Sequence, residues 1–312
     1  METPEQVLRH LEFNVIRRLD GFFFGEYTGV FYGPSLDLAE VREYQPGDEV
    51  RRIDWNVTAR MDRLFVRQYR EEREITGWLL VDRSPSMDFG TRRRLKADLA
   101  REFAGVAAYL VSRHGDKVGL LTFPDRRILP PRTGRRHVLR ILDILGQPVD
   151  ATRLPEGLRR EGRTKDRLGG FLREAGRMFR RRALIFLVSD FLDPGEWESA
   201  LLELSRRHDV IAVWIVDPIE RELPDVGGLT LRDPETGAMV WVDTSDPVVR
   251  KAYRDAVSKQ EATVSGVLRR SGVDVLRLVT AEPLLNPLIQ FIHYRKARRT
   301  VPPTPARVGG IG

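Results

Sequence analysis

The stretch Trp-Leu-Leu-Val-Asp-Arg-Ser-Pro-Ser-Met at residues 78–87 decides the fold class of this chain. Its first four residues are apolar and suit a buried strand, and they lead directly into Asp82, Ser84 and Ser86, which follow the pattern Asp-x-Ser-x-Ser. Turn-forming residues then break the extended run before a helix-forming segment begins. The three side chains are therefore predicted to lie at the carboxyl end of a strand, which is where open parallel α/β sheets bind their ligands.

The spacing of these side chains suits a hard divalent cation. Asp82, Ser84 and Ser86 supply one charge and two neutral oxygens, and Mg²⁺ is usually held by few carboxylates together with waters and neutral oxygens. A site with so little negative charge could accept a carboxylate from another protein as its last ligand. The alternative is a simple turn whose side chains bond to nearby backbone amides, and the motif taken alone favours that alternative.

A second apolar run also ends in an acid, and it favours a cation site over a simple turn. Residues 183–189 are suited to a buried strand, and Asp190 follows them, so two strands of one parallel sheet are predicted to end in aspartates. Between the two runs, Thr164 precedes a helical pattern and could place a third hydroxyl at a helix start. A threonine in that position is more commonly a helix cap.

These residues resemble two known sequence patterns, one general and one specific. The general one is the metal-ion-dependent adhesion site of von Willebrand factor A domains, and it is matched by Asp82, Ser84, Ser86, Thr164 and Asp190. The specific one is that of the bacterial domain-of-unknown-function 58 proteins. It is matched by Tyr-x-x-Gly-Asp-x-x-Arg-x-Ile-Asp-Trp-x-x-x-Ala-Arg at residues 44–60 and by Val-x-x-Tyr-x-x-Glu at residues 66–72.

The resemblance implies an α/β fold, a von Willebrand factor A-like doubly wound, mostly parallel sheet with an N-terminal β-rich subdomain. It implies Mg²⁺, with Mn²⁺ as the alternative, bound by Ser84, Ser86 and Thr164, with Asp82 and Asp190 as direct or water-mediated acids. Relatives are typically encoded beside MoxR-type AAA+ ATPases and are thought to act with them as adaptors. This chain departs from the family pattern by inserting Lys-Asp-Arg at residues 165–167 before the helix. The third-loop ligand is therefore either Thr164 or Asp166.

The length of 312 residues predicts one large domain and a smaller unit. We expect an N-terminal helix and loop at 1–24, a β-rich subdomain at 25–76, a von Willebrand factor A-like domain at 77–299 and a disordered tail at 300–312. Within the β-rich subdomain, residues 51–58 are predicted to form a strand, Trp55 to be a buried anchor, and Gly47-Asp48 to form a turn.

Several function classes are excluded or disfavoured by composition. The chain has no cysteine, which excludes disulfides, thiolate zinc sites and cysteine nucleophiles. It has no apolar run of about 18 residues and its first 20 residues are too charged for a signal peptide, so we expect a cytoplasmic protein. No phosphate-binding loop is present, and any ATPase activity would belong to a partner.

Three functions compete at this point. The favoured one is a non-enzymatic, metal-dependent interaction module whose partners are a MoxR-type AAA+ ATPase and an acidic client protein. The second is a haloacid-dehalogenase-like phosphatase with Asp82 as nucleophile, which commonly needs a second acid where this chain has Ser84. The third is nucleic-acid binding through arginine clusters in a chain of net charge +7, disfavoured because no aromatic stacking platform accompanies them.

Overall fold

A six-stranded sheet forms the centre of the fold. The computed structural model describes residues 2–19, 40–45, 48, 50, 53–61, 63–68, 76–90, 94–113, 115–150, 167–193, 196–235 and 237–300. The strands of the central sheet are β3 Thr76–Asp82, β4 Lys117–Phe123, β5 Ile128–Arg132, β6 Leu184–Ser189, β7 Asp209–Val216 and β10 Asp274–Val279. Their order is β10-β7-β6-β3-β4-β5, and only β5 runs antiparallel to its neighbour. The predicted doubly wound, mostly parallel sheet is confirmed.

Two smaller antiparallel pairs lie outside the central sheet. One joins β1 Glu40–Glu43 to β2 Phe65–Gln68, and the other is a hairpin of β8 Gly228–Arg232 and β9 Met239–Asp243. The helices are α1 Pro4–Leu11, α2 Trp55–Met61, α3 Lys96–Arg113, α4 Arg135–Gly146, α5 Arg167–Met178, α6 Glu198–Arg207, α7 Pro247–Arg270 and α8 Leu285–Thr300. None of these helices combines the length and the apolarity that crossing a membrane requires.

The apolar run of β3 is continuous because both faces of this central strand are covered. Leu79 and Val81 point into one core, which α1, α3, α4 and α8 complete. Trp78 and Leu80 point into the other core, which α5, α6 and α7 complete. Since successive side chains of a strand face opposite sides of the sheet, one run of four residues anchors both layers of helices.

Helix α1 belongs to the first of these cores. Its start is capped by Thr3, whose side chain and the side chain of Gln6 bond to each other's backbone N–H groups. Leu8 and Leu11 are fully buried against α3 and α4. At the opposite end of the chain, β10 pairs with β7 and α8 packs into the same core.

The predicted strand at residues 51–58 is wrong in its second half, because α2 begins at Trp55. The backbone turns there because Asp54 caps the helix: its Oδ1 accepts from the N–H of Val57 at 3.3 Å. Trp55 was expected to be buried, yet 65% of it is exposed. The predicted turn before it is supported by Asp48, whose Oδ2 accepts from the N–H of Gln45 at 2.8 Å.

Replacing Gly119 tests the packing between β3 and β4. Gly119 lies opposite Trp78, and a Cβ added at Gly119 would stand 2.7 Å from two ring atoms of that tryptophan. We expect Gly119→Ala to lower the free energy of unfolding by about 1–3 kcal/mol, because the stacked Trp78 and Phe179 rings must shift. Chemical denaturation measures the change.

The matched control for this prediction is Gly170→Ala in α5. Among the described residues, and apart from the backbone of α5 and the two chain neighbours, no atom lies within 4 Å of the Cβ that this substitution adds. Alanine there should raise the free energy of unfolding by about 0.5–1 kcal/mol, because glycine is a poor helix former. Equal effects of the two substitutions would contradict the predicted clash.

Candidate metal centre

The loop after β3 carries the predicted Asp-x-Ser-x-Ser side chains in a fixed turn. Asp82 is the last residue of β3, and a short 3₁₀ helix, Pro85–Asp88, begins immediately after Ser84. Proline suits the first position of such a helix because its φ is already restricted and no N–H is needed there. Met87, within this helix, is fully buried and anchors the turn in the first core.

The two serine hydroxyls of this loop lie side by side. The hydroxyls of Ser84 and Ser86 are hydrogen-bonded to each other, with their Oγ atoms 3.1 Å apart. The first carboxylate oxygen of Asp82, Oδ1, accepts from the backbone N–H of Ser84 at 2.9 Å, and the second, Oδ2, accepts from the hydroxyl of Ser189 at 2.6 Å. Asp82, Ser84 and Ser86 are each at most 7% exposed. Three oxygen-bearing side chains therefore converge at the carboxyl end of β3.

This donor set fits Mg²⁺. The ion prefers octahedral coordination with metal–oxygen distances of about 2.0–2.1 Å, which places neighbouring ligand oxygens about 3 Å apart. The hydroxyl separation of 3.1 Å between Ser84 and Ser86 agrees with that spacing. Within the described ranges, no three histidine or acidic side chains form a group that could hold a metal. A metal at this place would therefore depend on the hydroxyls as well as on Asp82.

Two buried acids face each other across neighbouring strands. Burial, together with the negative charge of Asp190, raises the pKa of Asp82 to about 7, against the opposing effect of its hydrogen bonds from Ser189 and Ser84. Asp190 follows β6 and is 3% exposed. Because burial and the nearby charge of Asp190 make the ionised form of Asp82 costly, a cation beside Asp82 would stabilise that form.

Lys96 is the cation that the protein itself supplies to this cluster. Its Nζ lies 2.7 Å from Oδ2 of Asp190 and 2.5 Å from Oε1 of Glu220, and its side chain is completely buried. Burial alone would lower the pKa of Lys96, but the charges of Asp190 and Glu220 outweigh burial and raise it. The amino group is therefore positively charged at neutral pH and lies next to Asp190.

Sequence reasoning missed Lys96, although a pattern could have revealed it. Lys96 precedes Leu99 by three residues and Phe103 by seven, which places it on the buried face of α3. A lysine in an apolar helical stripe needs an acidic partner in the core. Ser189 was also missed, although its place directly before Asp190 put it at the same edge of the sheet.

A buried ion pair holds the loop after β3 in position. The guanidinium of Arg83 donates to Oδ2 of Asp125 at 2.7 Å and also to the carbonyl of Gln147. Asp125 is fully buried and accepts a second bond at 2.5 Å from the hydroxyl of Thr122. The backbone N–H of Arg83 donates to the carbonyl of Phe123 at the end of β4. The residue between Asp82 and Ser84 is thus fixed from both its side chain and its backbone.

The turn after β6 is equally constrained. Phe191, 1% exposed, adopts a positive φ of 56°, a conformation that is uncommon for a bulky residue. Its N–H donates to the hydroxyl of Ser189 at 3.0 Å, and the N–H of Leu192 donates to Oδ1 of Asp190 at 3.1 Å. Both oxygens of Asp190 are therefore bonded, one by this turn and one by Lys96.

The hairpin of β8 and β9 also reaches the site. Oε1 of Glu235, at the hairpin tip, accepts from the backbone N–H of Ser86 at 3.0 Å. No local sequence pattern predicts this contact, because 149 residues separate the two partners along the chain.

The structure brings together Asp82, Ser84, Ser86 and Asp190 as the sequence predicted. The two alternatives for the third-loop ligand, Thr164 and Asp166, lie outside the described residues. A further strand-end acid, Asp217, bonds at 2.5 Å to the hydroxyl of Thr280 and caps the turn that carries Glu220. That acid therefore has a structural role in this turn.

Comparison with known proteins identifies the family. The model of the family described as protein of unknown function DUF58 matches residues 40–263. The chain belongs to this family. An uncharacterized protein of Mycobacterium tuberculosis is 37% identical to this DUF58 chain over 291 residues, which cover 93% of this chain and 89% of that protein. The uncharacterized protein YeaD of Bacillus subtilis is 30% identical over 112 residues, or 35% of this chain and 25% of that protein.

Solved structures similar to this DUF58 chain include the conserved hypothetical protein BatB from Bacteroides thetaiotaomicron. It is 14% identical, with a TM-score of 0.45, and the match covers 72% of this chain and 99% of BatB. The SpRpn10 VWA domain is 11% identical, with a TM-score of 0.34, over 70% of this chain and 94% of that domain. The predicted von Willebrand factor A-like α/β fold is confirmed, and the strand order given above carries that conclusion.

Removing the buried ammonium tests its role in stability. Lys96→Met leaves Asp190 and Glu220 without their common partner, so we expect a loss of about 3–5 kcal/mol in the free energy of unfolding. Urea denaturation at neutral pH measures it. The control is Lys251→Met on the exposed surface of α7, which should change stability by less than about 0.5 kcal/mol. Equal stability of the two variants would refute the role given to Lys96.

The raised pKa of Asp82 predicts a pH dependence of stability without added metal. An unfolded aspartate loses its proton near pH 4, whereas Asp82 in the folded protein loses it near pH 7. Between these values the folded state binds more protons, so raising the pH favours unfolding, by up to about 4 kcal/mol at pH 8. Denaturation in a chelator across this range, compared with Asp82→Asn, isolates the effect. Identical pH profiles of the two proteins would contradict it.

Proposed function

We propose that this protein is a non-enzymatic interaction module that binds Mg²⁺ at the carboxyl end of β3 and there accepts a carboxylate of a partner protein. The observation that carries the proposal is the pair of hydroxyls, 3.1 Å apart, on Ser84 and Ser86 beside the buried acid Asp82. When bound, the cation would supply an electrophilic centre for a carboxylate.

The chemistry of the donors supports an incoming acid. Ser84 and Ser86 bring neutral oxygens, and Asp82 brings the single charge that is not already paired with Lys96. A divalent cation held in this way keeps a net positive charge, and a carboxylate of another protein is the natural group to neutralise it. Lys96, whose Nζ lies 2.7 Å from Asp190, compensates part of the charge of Asp190. The net negative charge around the proposed metal therefore stays low.

The partner that we propose is a MoxR-type AAA+ ATPase together with an acidic client protein. The family resemblance supports this pairing, and the chain itself lacks a phosphate-binding loop, so nucleotide hydrolysis would be the task of the ATPase. In such a pair this protein would act as the adaptor that recognises the client.

The contacts of the described residues give less support to the two other functions. Both carboxylate oxygens of Asp82 accept hydrogen bonds, and the residue two positions later is Ser84, which cannot act as a general acid in phosphoryl transfer. Members of three arginine clusters form ion pairs within the chain: Arg94 with Glu102, Arg135 with Glu12, and Arg298 with Asp274. Those pairs reduce the positive charge available to a phosphate backbone.

Calorimetric titration with Mg²⁺ and with Mn²⁺ tests the site. We expect the wild type to bind about one equivalent, and we expect Ser84→Ala combined with Ser86→Ala to abolish binding because both neutral ligands are lost. The control is Ser258→Ala on the exposed surface of α7, which should bind as the wild type does. Binding of equal strength in the double variant would exclude the hydroxyls as ligands.

The partner is tested by association with a MoxR-type ATPase in Mg²⁺ and in a chelator. Association should require Mg²⁺ and should be lost in the double serine variant, which keeps the surrounding surface. Association that persists in the chelator would contradict a carboxylate–metal contact as its basis.

A further inference from the structure

The tip of the β8–β9 hairpin places an internal carboxylate at the proposed metal centre. Oε1 of Glu235 accepts from the N–H of Ser86, one of the two serines that present hydroxyls, at 3.0 Å. A carboxylate is also the group that the proposed function assigns to the partner. The site is therefore already in contact with a chemical equivalent of its proposed ligand.

The hairpin does not need this contact in order to fold. Its turn is closed by backbone bonds between Asp233 and Ala238 at 2.8 Å and between Gly237 and Asp233 at 2.8 Å. The side chain of Asp233 accepts from the backbone N–H of Glu235 at 2.9 Å. At its base, Thr244 bonds to Gly227 through both its N–H and its hydroxyl. The carboxylate of Glu235 is thus an addition to a turn that is complete without it.

Glu235 brings a third carboxylate to the end of the sheet that carries the buried acids. Asp82 and Asp190 lie there, and Glu235 contacts Ser86 in the loop after Asp82. A divalent cation on the serine hydroxyls would attract this internal carboxylate as it would a partner's carboxylate.

The position of Glu235 also limits access. Ser84 and Ser86 are only 7% and 6% exposed in the structure, although they form a turn at the edge of the sheet. A partner's carboxylate approaching these serines would meet the hairpin tip, which contacts the backbone of Ser86 through Glu235. Opening would require movement of a two-stranded hairpin that, in the part of the chain that the structure describes, forms a sheet separate from the central one.

We propose that Glu235 is a built-in competitor of the partner's carboxylate, which keeps the metal centre closed until an acidic partner displaces the hairpin tip. This inference rests on the proposed function and adds its regulation. If the closed form accounts for about nine molecules in ten, the affinity for an external carboxylate is reduced about tenfold, because only the open fraction can bind it.

The test uses Mn²⁺ as the metal and acetate as the external carboxylate. Relaxation of the solvent water protons reports the exchangeable waters on protein-bound Mn²⁺, and acetate that replaces such a water lowers the relaxation rate. We expect Glu235→Ala and Glu235→Gln to bind acetate about tenfold more tightly than the wild type. The matched control is Glu203→Gln on the exposed surface of α6, which removes the same charge and should leave acetate binding unchanged.

Hydrogen exchange of the Ser86 amide tests the contact independently of any metal. Glu235→Ala removes the acceptor of this N–H and should accelerate its exchange, whereas Glu203→Gln should not. Unchanged exchange in Glu235→Ala would overturn the contact and with it the inference.

The outcomes separate this inference from the proposed function. Mn²⁺ binding that is lost in the double Ser84→Ala, Ser86→Ala variant, together with equal acetate affinity in wild type and Glu235→Ala, would overturn the inference alone. Absence of Mn²⁺ binding in every variant would overturn the proposed function and the inference together. Tighter acetate binding in both Glu235 variants, with unchanged binding in Glu203→Gln, would support Glu235 as a competitor of external carboxylates.

Discussion

The ammonium group of Lys96, buried between Asp190 and Glu220, is the interaction on which the rest of the site depends. It connects the start of α3 to the ends of β6 and β7, which are three separate parts of the chain. Without that positive charge, the carboxyl ends of the central strands would concentrate acids in a region that excludes water. With it, the strand ends can be packed closely enough to bring the side chains of Asp82 and its serines together.

The buried positive charge of Lys96 also changes the role that a bound metal ion would have in folding. Many metal sites hold several acids that repel one another until the ion binds, so that folding and metal binding are one event. Here Lys96 compensates part of the acidic charge from within the chain, and the Arg83–Asp125 pair fixes the loop from the other side. The contacts that hold the scaffold of the site in place are therefore made by the protein itself.

The sequence revealed those parts of the site that follow from strand periodicity. Asp82 and Asp190 could be placed at one edge of the sheet because apolar runs lead into both, and parallel strands end on the same side. Lys96 was not predicted as a residue of the site because a lysine is expected at the surface. Only its place in an apolar helical stripe indicated that it is buried. Glu235 reaches the site through the tertiary position of a hairpin, which no local pattern encodes. Trp55 was misplaced because an aspartate cap overrode the strand preference of its neighbours.

The segment that defines the family is smaller than the unit that folds. The family model spans residues 40–263, whereas α1 lies before it, and β10 and α8 lie after it. All three elements bury apolar side chains in the core that backs β3, and β10 completes an edge of the sheet. The family model therefore covers fewer residues than the core does, and the site at the end of β3 is supported by terminal segments that lie outside that model.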